Sequence, residues 1–137
     1  MTDAVAIHTD AIVIDGLQCS DFDRALMEEA LHGGVTAINH AAILWENFHE
    51  GIERVTEWNR LFATNADIVM PIRTVADIHA AKAAGKLGII MGWQNTSPLE
   101  DRLDYLAIFK ALGIGIMQLT YNTQNFAGAG YLEEKDS

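Results

Sequence analysis

The stretch LGIIMGWQNTSPLEDRLDYLAIFKALGIGIMQLT (residues 87–120) decides the fold. Two runs that are apolar almost throughout, LGIIMG (87–92) and IGIMQLT (114–120), flank a segment carrying helical end signals. In SPLE (97–100), Ser97 reads as an N-cap, Pro98 as the first helical residue and Glu100 as the acid at N3, and Gly113 supplies the stop. Leu103, Leu106, Phe109 and Leu112 recur at helical spacing and are expected to form a buried stripe. An apolar strand, an amphipathic helix and a second apolar strand make a βαβ unit with parallel strands.

Working outward, the same alternation continues. Further apolar runs occur at AIVID (11–15), VTAIN (35–39) and DIVM (67–70). One helix is expected from Ser20, with Asp23 three residues on as in a capping box, to Gly33 and Gly34. Another spans about Asn47 to Ala63, with Phe48, Ile52, Val55 and Phe62 sharing a face, and a third opens at Thr74, with Asp77 at N3, and ends at Gly85. Strands followed one by one by helices indicate a parallel sheet covered by helices, in either a barrel or an open doubly wound arrangement. A complete (β/α)8 barrel needs roughly 250 residues, so a barrel reading makes residues 1–137 the N-terminal portion of one domain, with four or five of its strands. Unpaired strand edges would then call for a homo-oligomer or a second chain that completes the barrel.

Composition narrows the function classes. The 19 acidic and 9 basic side chains give a net charge of −10, so nucleic acids and anionic membranes would meet repulsion rather than attraction. A single cysteine cannot form an intrachain disulfide, which fits a reducing compartment. The N-terminal MTDAVAIHTDAIVID has neither a basic n-region nor a long apolar run. The expectation is a cytoplasmic chain without a membrane span that acts on a small molecule.

In parallel α/β folds, ligands meet the C-terminal ends of the strands. Three such exits are chemically interesting: DGLQC (15–19), GWQN (92–95) and LTYNTQN (119–125). Asp15 is either an acid–base group or a carboxylate bracing the turn before Gly16. Cys19 is either a nucleophile or soft metal ligand, or the small buried hydrophobe that most free cysteines are. Gln94 and Asn95 either hydrogen-bond a substrate or close the loop, and Tyr121 either donates its hydroxyl to a substrate carbonyl or forms an aromatic wall. Asn122 completes the candidate pocket. Of the five histidines, His8, His32, His49 and His79 lie away from strand exits, only His40 follows a predicted strand, and no HxH or HExxH pair occurs. LWENFHEGIERVTEWNRLF (44–62) offers Trp45 or Trp58 to a cationic ligand, although helix-to-sheet packing is the ordinary use of such a stripe.

Taken in order, IVIDGLQCSDFDR, GGVTAINH, DIVMPIRTVADIHAAKAAGKLGIIMGWQN and DRLDYLAIFKALGIGIMQLTYNTQN resemble the N-terminal half of the membrane (renal) dipeptidase family, within the amidohydrolase-like metal-dependent hydrolases. The resemblance implies a TIM-like (β/α)8 barrel, dipeptide hydrolysis and two zinc ions holding a hydroxide nucleophile. It also implies that the first-strand ligands fall on Leu17 and Cys19, the bridging glutamate on Gln94 and the substrate-polarising histidine on Tyr121. Every charged ligand position is thereby uncharged or weakly acidic. The resemblance therefore implies a divergent dipeptidase-like hydrolase acting on a dipeptide or related small amide, with zinc poorly provided for. The alternatives are a non-catalytic paralogue that binds a small molecule or a partner, and an incomplete barrel fragment.

Overall fold

A computed structural model describes residues 3–135. The outermost residues at both ends of the expected 1–137 domain, including Met1 and Thr2 of the N-terminal stretch read for a leader, lie outside the described residues. The elements in chain order are α1 (Ala4–Asp10), β1 (Ile14–Gln18), α2 (Arg24–His32), β2 (Ala37–Ile43), α3 (Phe48–Thr64), β3 (Val69–Pro71), α4 (Val75–Ala84), β4 (Leu87–Trp93), a 3-10 turn (Ser97–Leu99), α5 (Tyr105–Leu112) and β5 (Ile114–Met117). The sheet order is β1-β2-β4-β3, with β5 also paired to β4. β3 lies parallel to Leu87–Ile89 and β5 parallel to Met91–Trp93, so the two take successive segments of β4. The parallel α/β class expected from the apolar runs is the class the chain adopts.

The chain divides into two compact units, one made of residues up to 40 together with 62–90, the other of 41–61 with the residues from 91 onward. In the first unit, β1 begins three residues later than its sequence suggests and runs through Asp15, Gly16 and Leu17. Its register against β2 is Ile14↔Ala37, Asp15↔Ile38 and Gln18↔His40, which sets three steps of β1 against two of β2. Such a bulge bends a strand and re-aims the side chains around it. Gln18 Oε1 then accepts the Ser20 amide, so Ser20 closes the turn rather than opening a helix. The cap falls to Asp23, whose Oδ1 accepts from Leu26 N at 2.9 Å. α4 opens as expected: Thr74 and Asp77 form a reciprocal capping box, and Gly85 ends the helix at φ 63°. α1, which no sequence signal singled out, is capped by Asp3.

Two surface carboxylates of this unit are held low in pKa. Hydrogen bonds from the Arg73 amide, then from Thr74, depress Asp77. The Arg24 guanidinium grips Asp67 through two bonds of 2.7 and 3.1 Å, and that grip lowers Asp67. A depressed carboxylate contributes stability that is fully present above its unfolded value, about pH 4, and is lost as pH falls through the lower folded value. The stability gap between the wild type and Asp67→Asn is therefore expected to close on acidification below about pH 4. Urea unfolding between pH 7 and pH 2.5 measures it, and a gap that stays constant would show that the pair contributes nothing.

In the second unit, Phe109 of α5 is fully buried and meets Trp93 edge-on at 4.7 Å and Phe48 at 5.4 Å. Gly51 of α3 permits this packing, because a Cβ there would stand only 3.2 Å from the Phe109 ring. The buried face of α3 is accordingly Gly51, Val55 and Trp58, rather than the larger set headed by Phe48 and Ile52. The expected stripe on α5 is reduced further. Leu103 is 77 % and Leu106 37 % exposed, since the helix starts only at Tyr105 and Leu103 precedes it.

The reason for that late start lies at SPLE. The Ser97 amide and hydroxyl both donate to Asn95 Oδ1, at 2.7 and 2.6 Å, so the hydroxyl is not spent on the N3 amide. Glu100 turns the chain at φ 50°, and its Oε1 accepts from the Phe48 amide at the start of α3. A cap-like sequence thus becomes a 3-10 turn followed by a break. No helix among the described residues is long and apolar enough to cross a membrane.

Candidate active site at the strand exits

The first-unit candidates cluster on the bulge of β1. Asp15 Oδ1 accepts the Leu17 amide at 3.0 Å, and the Gly16 carbonyl accepts from Asn39 Nδ2 at 2.9 Å. Asp15 therefore braces the turn with one oxygen. Leu17 is 45 % exposed and brings no donor atom. Cys19 is exposed rather than buried, which corrects the ordinary expectation for a free cysteine: the strand ends at Gln18 and leaves Cys19 on the loop. Asn39, which sequence reading passed over, is buried, and its Oδ1 has no partner among the described residues. His40, the one histidine singled out at a strand exit, lies inside β2, buried and stacked on Phe22 at 5.8 Å.

The second-unit candidates lie where β4 and β5 end. Gln94, Asn95 and Thr96 are all buried, and the Gln94 amide donates to the Ile43 carbonyl. Asn95 Oδ1 is a hub, accepting from Asn125 Nδ2 at 2.9 Å as well as from both groups of Ser97. The Leu119 carbonyl is a second hub, accepting from the Thr96 amide, the Thr96 hydroxyl and Asn125 Nδ2. Together they bind the loop after β4 to the loop after β5. With its oxygen committed to three donors, Asn95 performs the loop-closing role.

That scaffold carries Tyr121 and Asn122. The Tyr121 carbonyl accepts from Tyr131 N at 2.7 Å and the Asn122 carbonyl from Leu132 N at 2.8 Å. Only glycine fits at 130, because a Cβ there would fall on the Asn122–Thr123 peptide. The Tyr121 ring is 38 % exposed and stacks on Trp45, itself 50 % exposed, with centroids 5.3 Å apart and planes 20° apart. Trp58, by contrast, is 5 % exposed and packs in the core. The two tryptophans read as alternatives in the sequence thus have opposite roles. Asn125, Ser97, Gly130 and Trp45 are the members that sequence reasoning missed or underweighted. Asn125 is thirty positions from its partner, and no spacing rule links them.

The donor chemistry of these residues does not fit the two-zinc centre that the family resemblance implies. Leu17 has no lone pair, Gln94 is a neutral amide, and the Asn95 oxygen is saturated. Among the described residues, no group of three His, Cys, Asp or Glu side chains could hold a metal ion. Stoichiometric zinc is expected to leave the thermal midpoint of the chain unchanged by calorimetry. A stabilisation that disappears in Cys19→Ser/Gln94→Ala would show that these positions ligate after all.

Comparison with known proteins follows the same line. The sequence matches the membrane dipeptidase family (peptidase family M19) over residues 3–137. Comparison with curated proteins gives no match. Among solved structures, an amidohydrolase from Pseudomonas aeruginosa is 44 % identical with a TM-score of 0.93 over 97 % of this chain and 41 % of its own. The probable dipeptidase PvdM from the same organism matches at 18 % identity and a TM-score of 0.76, over 89 % of this chain and 38 % of its own. The chain thus spans about two-fifths of the length of the structures it matches, and its fold is the α/β, TIM-barrel type of which it covers that part.

Proposed function

We propose that this chain, which belongs to the membrane dipeptidase family, supplies the N-terminal half of the barrel of a dipeptidase-type hydrolase that acts on a dipeptide or related small amide. Family membership over nearly the whole chain is the observation that carries the reading. Tyr121, held by its carbonyl and by the stack on Trp45, presents a hydroxyl that can donate to a substrate carbonyl and favour the oxyanion that develops there. Asn95 positions the loop that bears it. Gln94 and Asn122 are the further polar contacts proposed beside it, and Asp15 and Cys19 are those proposed at the exit of β1. Zinc, the metal implied by the family, would supply a bound hydroxide where it is held, and no step is assigned to it because Leu17 and Gln94 are unsuited to ligate it.

The rest of the barrel is proposed to cover the strand edges that this portion leaves open, and a second copy or a second chain is one proposed source of it. β1 stands at an end of the strand order with Ile14 about half exposed, and β5 leaves Ile116 42 % exposed. Edges and apolar faces of this kind are usually covered. The completed barrel is expected to release free amino acids from a dipeptide mixture, read by mass spectrometry. A complete assembly that binds the mixture and never cleaves it, with or without added zinc, overturns the hydrolase reading. That outcome is the one expected of a non-catalytic binding paralogue, which the substitutions at positions 17 and 94 favour.

A further inference from the structure

We propose that the stacked pair Trp45–Tyr121 is a specificity wall that takes the flat, aromatic side chain of the ligand at the strand exits. The proposal rests on the functional reading above for the location of the site, and on the following for its chemistry. Both rings stand just beyond the C-terminal ends of parallel strands, Trp45 two residues after β2 and Tyr121 four after β5. Both are exposed while the other two tryptophans, Trp58 and Trp93, are buried at 5 % and 2 %.

Exposed aromatic rings that serve only as surface have no need of a rigid mount, and this pair has one on each side. The Leu44 and Trp45 amides both donate to Glu46 Oε2, at 2.6 and 2.8 Å, and Glu46 Oε1 lies 3.4 Å from Arg54 Nε. The Tyr121 backbone is fixed by the Tyr131 amide, and the next peptide is packed against Gly130. A fixed backbone under each residue and the stack between the rings reduce the conformational entropy lost when a ligand arrives. Each has one face against the other, and their arrangement extends naturally to a third ring in offset or edge-on geometry. No carboxylate of the pair's mount is left over for a cation, because Glu46 is spent on two amides and Arg54. An aromatic side chain therefore fits better than a cationic one.

The test uses the 137-residue chain in whatever assembly it forms. Since Trp58 and Trp93 are buried, acrylamide quenching with excitation at 295 nm reports mainly on Trp45. N-acetylphenylalaninamide is expected to protect Trp45 from quenching, while N-acetylglycinamide and N-acetyllysinamide leave it accessible. Saturation-transfer NMR of the phenylalanine ring is expected to show binding about fivefold to tenfold weaker in Trp45→Ala, with Trp45→Phe retaining most of it and the far-UV spectrum unchanged in both. Equal protection by the three probes, unaltered binding to Trp45→Ala, or a Trp45 already shielded from acrylamide without any probe would each overturn the wall. Binding of the aromatic probe without cleavage of any dipeptide overturns the hydrolase reading alone. Cleavage with no preference for phenylalanine over glycine overturns the wall alone.

Discussion

Phe109→Ala is expected to lower the unfolding free energy by about 3–5 kcal/mol, the range for emptying a fully buried aromatic site. Phe109 is 0 % exposed and touches Trp93 from β4 and Phe48 from α3, and its ring occupies the space that Gly51 leaves open. The cavity has little means of collapsing, because β4 is tied by its ladder and α3 is anchored at its start by the reciprocal bonds of Asn47 and Glu50. Phe109→Leu retains much of the apolar volume and should cost clearly less. Denaturant unfolding followed by far-UV circular dichroism measures both, and equal losses for the two variants would contradict the packing account.

The second large effect is expected at Asn95. Asn95→Ala removes an acceptor shared by the Ser97 amide, the Ser97 hydroxyl and Asn125 Nδ2. Asn95 is 1 % exposed, so the stranded donors must find water or move, at a cost of about 2–4 kcal/mol. The consequence should extend beyond stability. Asn125 also holds the Leu119 carbonyl, so loss of its partner loosens the segment that carries Tyr121. Amide hydrogen exchange is expected to quicken across residues 119–131 while α4 and its Thr74 cap stay protected. Uniform quickening along the chain would mean that Asn95 is only one more core residue. Asn125→Ala should loosen residues 119–131 at least as much, because it removes the bonds to Asn95 and the Leu119 carbonyl and the acceptor of the Ala127 amide, while the Ser97 bonds survive and spare the loop after β4.

The donors at positions 17 and 94 do not suit the two-zinc centre that the family resemblance implies, although the backbone around them is well held. At β1 the bulge, the Asp15 turn and the Asp23-capped helix are all in place, so Leu17 and Cys19 stand on an intact strand exit. At β4 the neutral Gln94 is followed by an asparagine that the fold uses to fasten two loops. Both exits have a bonded backbone frame, while Leu17 and Gln94 bring no charge to it. Side-chain identity on a loop or strand end can change without touching the frame, since function sits in sites grafted on folds.

The order of residues is enough to set the alternation of apolar runs and helices, hence the parallel α/β class. It also determined the Thr74–Asp77 box and the Gly85 stop, because these signals are local and no distant partner competes for them. Other features depend on contacts that form only in the folded chain. Ser97 and Glu100 carry the right residues for a cap, yet the Glu100 oxygen accepts from the distant Phe48 amide, and the Ser97 donors go to Asn95, two positions away and itself bonded to Asn125, which postpones α5 to Tyr105. The leucines that matched a helical stripe lost it with that delay, and Phe109 alone of the four became core. Trp45 and Trp58 look alike in the chain, and only the packing of α3 and the stack on Tyr121 separates a buried ring from an exposed one. Local signals survive when backbone bonds close within a few residues; side-chain hydrogen bonds spanning thirty or fifty positions are set by three-dimensional proximity, which no window of sequence contains.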